Sequence, residues 1–332
     1  MTDESRLMLR AVDLAVRGLG HTRPNPAVGA LVARGGRIIG EGWHRKAGGD
    51  HAEVAAIKNA YRRGAKSLKG AAIYVTLEPC SKPGRVGACT DAIAEAGISR
   101  VVYAVSDPNP KNRGGAKRAL AKHGIACERF KGDRAVSSRC EALIAGFRKH
   151  VLTGLPHVTV KLAMSLDGKI CDGRGRAKWI SSEGSRGITS ALRETSDAIM
   201  VGAETVRRDN PSLLAKKREN RDLIRVIVSK SGRLPKKAQV FTDGRNPTLV
   251  FDDAKKALAE LGRMGVMDVL CEGGLALARS LAEQGLVDRW INVMAPAVIA
   301  SRPVDRALRG RIDRGGTFCA CGDAFISADF GG

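Results

Sequence analysis

The apolar residues of the first half of the chain follow helical spacing in some segments and strand-like spacing in others. Residues 5–18 place Leu7, Val12 and Leu14 on a pattern that stops at Gly18, which predicts an amphipathic helix. Residues 30–43 predict two short strands joined by a Gly-Gly hairpin. Further helices are predicted at 51–64, 89–97 and 116–124, and strands at 71–80 and 99–108. Such alternation predicts an α/β layered domain.

The pattern restarts after a Gly-Leu-Pro turn at residues 154–156, so we place a domain boundary near residue 150. Beyond it, strands are predicted at 157–165, 197–206, 223–229, 267–274 and 288–299, and helices at 181–196, 254–265 and 275–285. The sequence therefore predicts two α/β domains, residues 1–150 and residues 151–332.

Charge narrows the choice of partners without selecting one. The 332 residues carry a formal net charge of +22, and residues 1–150 hold 27 basic and 13 acidic side chains. This favours anionic partners such as phosphorylated metabolites, nucleotides, nucleic acid or acidic lipid. The longest apolar stretch, residues 290–300, is broken by Asn292 and Pro296, so no membrane span is expected. The first residues lack a signal-peptide pattern, and we expect a cytoplasmic protein with reduced cysteines.

One group of residues in the first domain is typical of a zinc site. His51 begins a predicted helix, Cys80 ends a strand, and Cys89 begins the next helix. One imidazole and two thiolates suit Zn²⁺, and three protein ligands leave a fourth position for water, whose pKa then falls to roughly 7. Glu53 does not face the same way as His51 on a helix, so it is predicted to shuttle protons beside the metal. A structural zinc site is the alternative.

The order H-x-E, then P-C after a strand, then a second cysteine resembles the zinc deaminase signature. Nucleic-acid and cytidine deaminases usually separate their cysteines by two residues, whereas eight separate Cys80 from Cys89. That longer segment, LEPCSKPGRVGAC, resembles the deaminase domain of the bifunctional riboflavin-biosynthesis deaminase/reductases. The same family is indicated by RPNPAVGALV at 23–32, GEGWHRKAGGDHAE at 40–53 and SDPNP at 106–110.

This resemblance implies a cytidine-deaminase-like three-layer domain with one zinc ion per chain, held by His51, Cys80 and Cys89, and with Glu53 as the catalytic residue. It also implies a set of substrate contacts: Asn25, His44 and Asn109 at the pyrimidine and ribose, and Arg85 at the phosphate. A guanidinium suits a phosphate physically. The sequence departs from the family pattern at Lys82, where His is usual, and at residues 86–88, where T-P-P is usual.

The second domain has a Glu272-Gly273-Gly274 turn between a predicted strand and a helix, where glycines let the backbone approach a phosphate. No G-x-G-x-x-G fingerprint follows its first strand. The segments VKLAMSLDGKI at 160–170, KWISS at 178–182 and SDAIMVGAETVRRDNPSL at 196–213, followed by CEGG, LVDRW and MAPAVI, resemble the reductase domain of the same family. They imply a dihydrofolate-reductase-like fold.

The match implies two sets of contacts in this domain. NADPH would touch Ala163, Trp179, Thr205, Asp209 and Gly274. The phosphosugar would touch Lys161, Ser181, Arg193, Leu213, Lys216 and Glu272. Ala177 and Lys216 stand where the family often has a hydroxyl residue and Arg, respectively.

We therefore expect a two-step enzyme that uses Zn²⁺ and NADPH. It would hydrolytically deaminate a phosphorylated aminopyrimidine, 2,5-diamino-6-ribosylamino-4(3H)-pyrimidinone 5′-phosphate, and then reduce the ribosyl group of 5-amino-6-ribosylaminouracil 5′-phosphate to ribityl. We expect no membrane or nucleic-acid partner. We expect the chain to form a homo-oligomer, either a dimer or a tetramer. The alternatives are a nucleic-acid-editing deaminase, a deaminase with a degraded reductase half, and a zinc-stabilised RNA-binding module without activity.

Overall fold

The computed structural model describes residues 2–82, 87–171, 180–215, 223–296, 299, 312–320 and 323–330. The chain forms two compact units, Met1–Thr153 and Gly154–Gly332. None of the helices in the described part of the chain has the length and apolar character needed to cross a bilayer.

Unit 1 contains five strands and six helices in its described residues. The strands are β1 (Gly29–Arg34), β2 (Arg37–Trp43), β3 (Ala72–Leu77), β4 (Arg100–Val105) and β5 (Ala126–Arg129). The helices are α1 (Asp3–Val16), α2 (Ala52–Arg62), α3 (Cys89–Glu95), α4 (Gly115–Ala121), α5 (Arg134–Leu143) and α6 (Ala145–Thr153). The sheet order is β2-β1-β3-β4-β5, with β1 antiparallel to both neighbours and the last three strands parallel. Helices α1 and α5 pack together, as do α2, α3 and α4, which gives the predicted three layers.

The sheet of unit 1 fixes the helix α2, which begins after His51 and carries Glu53. Gly40 and Gly42 of β2 face α2, and a Cβ atom on Gly42 would lie 2.3 Å from the backbone nitrogen of Ala56. Only glycine permits so close an approach of strand and helix. The first turn of α2, with His51 at its N-cap, is thereby held against the sheet.

Unit 2 is built on one eight-stranded sheet. Its strands are β6 (His157–Ser165), β7 (Ala198–Gly202), β8 (Ile224–Val228), β9 (Thr248–Phe251), β10 (Asp268–Cys271), β11 (Arg289–Ala295), β12 (Ile312–Ala320) and β13 (Asp323–Phe330). Its helices are α7 (Glu183–Thr195), α8 (Ala203–Asp209), α9 (Gln239–Thr242), α10 (Ala254–Arg263) and α11 (Leu275–Glu283). The sheet order is β12-β13-β11-β6-β10-β7-β8-β9. The six strands from β11 to β9 are parallel, so the carboxyl ends of β6, β7 and β10 meet at one edge.

One predicted element is half wrong. The strand expected at 197–206 ends at Gly202, and the chain turns at once into α8. The apolar run continues to Val206, but Glu204 forms ion pairs with Arg207 and Arg208 at helical spacing, and such pairs favour a helix. The predicted hairpin turn is confirmed, since Gly35 and Gly36 both have positive φ.

Candidate active sites

The three predicted zinc ligands come from three different elements of unit 1. His51 precedes α2, Cys80 follows β3, and Cys89 is the first residue of α3. Their ligand atoms all lie within 4.8 Å of one another. The fold therefore brings together residues that are up to 38 positions apart in the chain.

The spacing and chemistry of these atoms fit zinc. A tetrahedral ion with nitrogen and sulfur ligands holds neighbouring ligand atoms about 3.5 Å apart. His51 Nδ1 lies 3.2 Å from Cys89 Sγ and 3.6 Å from Cys80 Sγ. Hydrogen bonds, of which that from the Cys89 thiol is the largest cause, lower the pKa of Cys80. This favours the thiolate, which is the form that binds metal.

Glu53 lies in the first turn of α2 and lines the same cavity as His51 and Cys80. Its side chain is buried, with 4% of the residue exposed. Burial, together with the nearby charge of Cys80, raises the pKa of Glu53 to about 7. A carboxyl group with a pKa near neutrality can both accept and release a proton, as the predicted proton shuttle must.

The zinc-site cavity has a volume of about 180 Å³, and two of the predicted substrate residues, Asn25 and His44, line it. His44 Nδ1 lies 2.9 Å from the carbonyl oxygen of Asp50, and His44 Nε2 lies 3.1 Å from Asn25 Nδ2. This arrangement fits a neutral ring that donates from Nδ1 and accepts at Nε2. Burial lowers the pKa of His44, which favours the same neutral form.

Asn109 does not line the described cavity. Its backbone N–H donates to Asp107 Oδ1, and its side-chain oxygen accepts from the backbone N–H of Lys111. The next asparagine, Asn112, lines the cavity instead. Asn109 thus shapes the loop, and its predicted contact with substrate stays a prediction. Arg85 lies outside the described residues.

The cavity is also lined by residues that the sequence analysis missed, namely Glu78, Asp107, Asn112 and Phe147. Glu78 and Asp107 lie within the quoted motifs LEPC and SDPNP, so those motifs were the available signal. Phe147 belongs to α6, near the end of unit 1, and nothing in the local pattern links it to the zinc residues.

The second site is a cavity of about 500 Å³ in unit 2. Six of the predicted residues line it: Lys161, Ala163, Ser181, Arg193, Asp209 and Glu272. Lys161 and Ala163 lie on β6, and Glu272 directly follows β10. The site therefore lies at the carboxyl edge of the parallel strands, where open α/β sheets bind their ligands. Arg186, Thr189, Asn210 and Ser212 also line it and were not predicted.

An ion pair organises the charged wall of this cavity. Arg193 donates to both carboxylate oxygens of Glu272, at 2.5 and 2.9 Å, and to the carbonyl oxygen of Leu214 at 3.3 Å. Burial lowers the pKa of Lys161, while the charge of Glu272 opposes that change. The carboxylate of Glu272 therefore balances two cations on the same wall.

The remaining predicted reductase residues are not among the described residues that line this cavity. Gly274 is the N-cap of α11, and a Cβ atom on it would lie 4.0 Å from Thr205 Oγ1, so these two residues are close. Leu213 is 1% exposed and has a φ of 54°, which leaves its backbone rather than its side chain for contact. Trp179 and Lys216 lie outside the described residues. The contacts predicted for these residues stay predictions.

Comparisons with known proteins match both halves of the chain. A family model of the cytidine and deoxycytidylate deaminase zinc-binding region matches residues 1–105, and a model of the RibD C-terminal domain matches residues 156–306. The riboflavin biosynthesis protein RibD of Bacillus amyloliquefaciens is 37% identical, with 89% of this chain and 85% of the relative covered. RibD of Escherichia coli is 34% identical, with 89% and 88% covered.

A solved structure agrees over the whole length. The diaminohydroxyphosphoribosylaminopyrimidine deaminase/5-amino-6-(5-phosphoribosylamino)uracil reductase of Thermotoga maritima is 31% identical and has a TM-score of 0.88, with 99% of each chain covered. The chain therefore belongs to the RibD family, the bifunctional deaminase/reductases of riboflavin biosynthesis, which use zinc and NADPH.

Proposed function

We propose that residues 1–150 carry the deaminase and residues 151–332 the reductase of this two-step enzyme. The substrates are 2,5-diamino-6-ribosylamino-4(3H)-pyrimidinone 5′-phosphate and then 5-amino-6-ribosylaminouracil 5′-phosphate, in line with the name of the Thermotoga relative. The observation that carries the proposal is that the ligand atoms of His51, Cys80 and Cys89 lie within 4.8 Å of one another, beside a cavity that the buried Glu53 lines.

In the deaminase, His51, Cys80 and Cys89 would hold the metal. When bound, zinc supplies a Lewis acid that lowers the pKa of water to roughly 7. The Glu53 carboxylate accepts a proton from the attacking water and delivers it to the departing ammonia. The pKa of about 7 suits Glu53 to both transfers.

Asn25 and His44 orient the substrate in this cavity. The His44 ring is fixed by the Asp50 carbonyl oxygen, and its Nε2 lies against the Asn25 amide. These two side chains therefore present a fixed set of polar atoms to the pyrimidine and ribose. Rigid positioning of this kind raises the fraction of bound substrate that is in a reactive geometry.

When bound in the reductase, NADPH would supply a hydride to the ribosyl carbon, and a proton taken up by the ring oxygen would complete the conversion to a ribityl chain. The cationic groups of Lys161 and Arg193 attract the phosphate-bearing substrate, and Glu272 holds the Arg193 guanidinium in place. Gly274 and Thr205, which lie close together, would contact the cofactor, with Asp209 and Ala163 in the cavity wall.

We further propose that the protein works in the cytoplasm as a homo-oligomer, a dimer or a tetramer. Sedimentation equilibrium of the zinc-loaded protein measures the oligomeric state. A mass of two or four chains supports the proposal, and a monomer of 35.3 kDa contradicts it.

The test of the proposed roles is a Glu53→Gln variant compared with Glu95→Gln, which changes an exposed glutamate of α3. Because Glu53 shuttles protons and does not bind the metal, Glu53→Gln should keep one zinc per chain. Its rate of ammonia release should fall by roughly 10²–10⁴-fold. Glu95→Gln should match the wild type. Loss of zinc from Glu53→Gln would indicate that Glu53 is a metal ligand. Unchanged ammonia release would show that Glu53 is not the proton shuttle.

A further inference from the structure

Unit 1 contains a second cavity, of about 390 Å³, beside the carboxyl end of β4. It shares no described lining residue with the zinc cavity. Three arginines border it, Arg113, Arg129 and Arg148, and among its described lining residues Glu141 is the one acid. We refer to it as the arginine cavity. Its excess of positive charge matches the basic character of the first 150 residues and favours an anionic ligand.

The backbone holds two of these guanidinium groups in place. Arg129 Nε donates to the carbonyl oxygen of Ala104 at 3.3 Å, and Arg113 Nε donates to that of Asp107 at 3.2 Å. Both bonds use Nε, so the terminal nitrogens of these two side chains stay available for a ligand. The Arg148 side chain makes no hydrogen bond or ion pair with any residue that the structure describes, and it too is free to bind.

The chemistry of the lining selects a class of ligand. Guanidinium groups match the oxygens of a phosphate, with two parallel hydrogen bonds from each. Val105, Pro108 and Leu152 add apolar surface beside the cations, which suits an organic moiety attached to the phosphate. Single-stranded nucleic acid instead needs aromatic stacking, and the described lining holds no aromatic side chain. We propose that the arginine cavity binds the phosphate of a small phosphorylated organic molecule.

The cavity is separated from the zinc site by one loop. Asp107 and Asn112 line the zinc cavity, whereas Pro108 and Arg113 of the same loop line the arginine cavity. The phosphate could therefore come from either of two sources: the deaminase substrate itself, reaching across the loop, or a separate molecule. Both sources share the chemistry that the arginines recognise, and the KM of the deaminase distinguishes between them.

The test is equilibrium dialysis of labelled inorganic phosphate against the zinc-loaded full-length protein. Wild type is compared with Arg129→Gln, Arg148→Gln and the control Arg62→Gln, which removes an exposed charge from α2. Loss of one charge-assisted contact should weaken phosphate binding at this site by roughly tenfold in each cavity variant. Arg62→Gln should leave it unchanged. Because Arg129 also bonds the backbone, Arg148→Gln is the variant that cannot fail through loss of that bond.

Phosphate binding that is unchanged in Arg148→Gln and Arg129→Gln would overturn the proposal, as would an equal weakening in Arg62→Gln. The deaminase KM then identifies the source of the phosphate. A KM that rises by the same factor as the phosphate Kd indicates the substrate's own phosphate. An unchanged KM indicates a separate molecule, and phenyl phosphate should then bind more tightly than inorganic phosphate because of the apolar wall.

Discussion

Glu78 is a buried carboxylate that connects the end of β3 to the loop beside the zinc cavity. Its residue is 4% exposed, and its two oxygens accept from the backbone N–H groups of Asp107, at 3.2 Å, and Ala116, at 3.4 Å. Asp107 and Glu78 both line the cavity. The change Glu78→Gln keeps the shape of the side chain but replaces one of the two acceptor oxygens with an NH₂ group. Because that group cannot accept a hydrogen bond, only one of the two backbone N–H groups keeps its partner.

The size of the effect follows from these contacts. One buried backbone N–H loses its partner, and leaving such a group unsatisfied costs about 1–3 kcal/mol. That cost falls on the segment from Asp107 to Ala116, because Glu78 holds both of its ends. Local opening of this segment should become roughly 5- to 150-fold more frequent. The KM of the deaminase should rise as well, since Asp107 and Asn112 then spend less time in the positions in which they line the zinc-site cavity.

Hydrogen–deuterium exchange of peptides covering residues 106–116 measures this directly. Exchange should accelerate in Glu78→Gln and stay at the wild-type rate in Glu95→Gln, a change of the same chemistry at an exposed position. An unchanged exchange rate in this segment of Glu78→Gln, in a preparation that binds zinc normally, would mean that Glu78 does not hold the loop.

Three further predictions concern other parts of the chain. Asp243→Asn should destabilise unit 2 by about 3–5 kcal/mol in urea unfolding, because it leaves the buried Arg225 guanidinium unpaired. Arg225 lowers the pKa of Asp243, so the pair stabilises the fold above the carboxyl's ordinary pKa and this contribution is lost as the pH falls below about 4; the variant should lack that acid-dependent step. Gly42→Ala should cost about 1–3 kcal/mol and lower zinc occupancy, because its Cβ atom would meet α2, as calorimetry and metal analysis would show. Glu272→Gln should lower the reductase kcat/KM by roughly tenfold or more, by loss of a charge-assisted bond to Arg193, with ammonia release unchanged in the same preparation.

The zinc site could be predicted from sequence because each of its residues stands next to a strong local signal. His51 precedes α2, Cys80 lies three residues after the end of β3, and Cys89 begins α3. Phe147 could not be predicted, since its place in the cavity depends on how α6 packs on the rest of unit 1. Asn109 and Asn112 both lie in one loop, and only the loop's own hydrogen bonds decide which side chain enters the cavity.

The errors in the second half have similar causes. The apolar run through Val206 could not show that the strand ends at Gly202, because short buried strands and helix starts share that composition. The β12–β13 hairpin was not predicted at all. Strand β12 contains the adjacent glycines Gly315 and Gly316, which weaken a strand pattern. Strand β13 is placed by its pairing with β11, a partner distant in the chain. Pairing of this kind leaves little local trace in a sequence.

Whether one chain carries both reactions can be measured on purified wild-type protein whose zinc content is known. The phosphorylated diaminopyrimidine is supplied first and ammonia release is followed; NADPH is then added and its oxidation is followed. We expect zinc near one per chain, and one NADPH oxidised for each ammonia released. Ammonia release without NADPH oxidation would mean that the chain lacks the reductase activity, and zinc-loaded protein that releases no ammonia would rule out the two-step function.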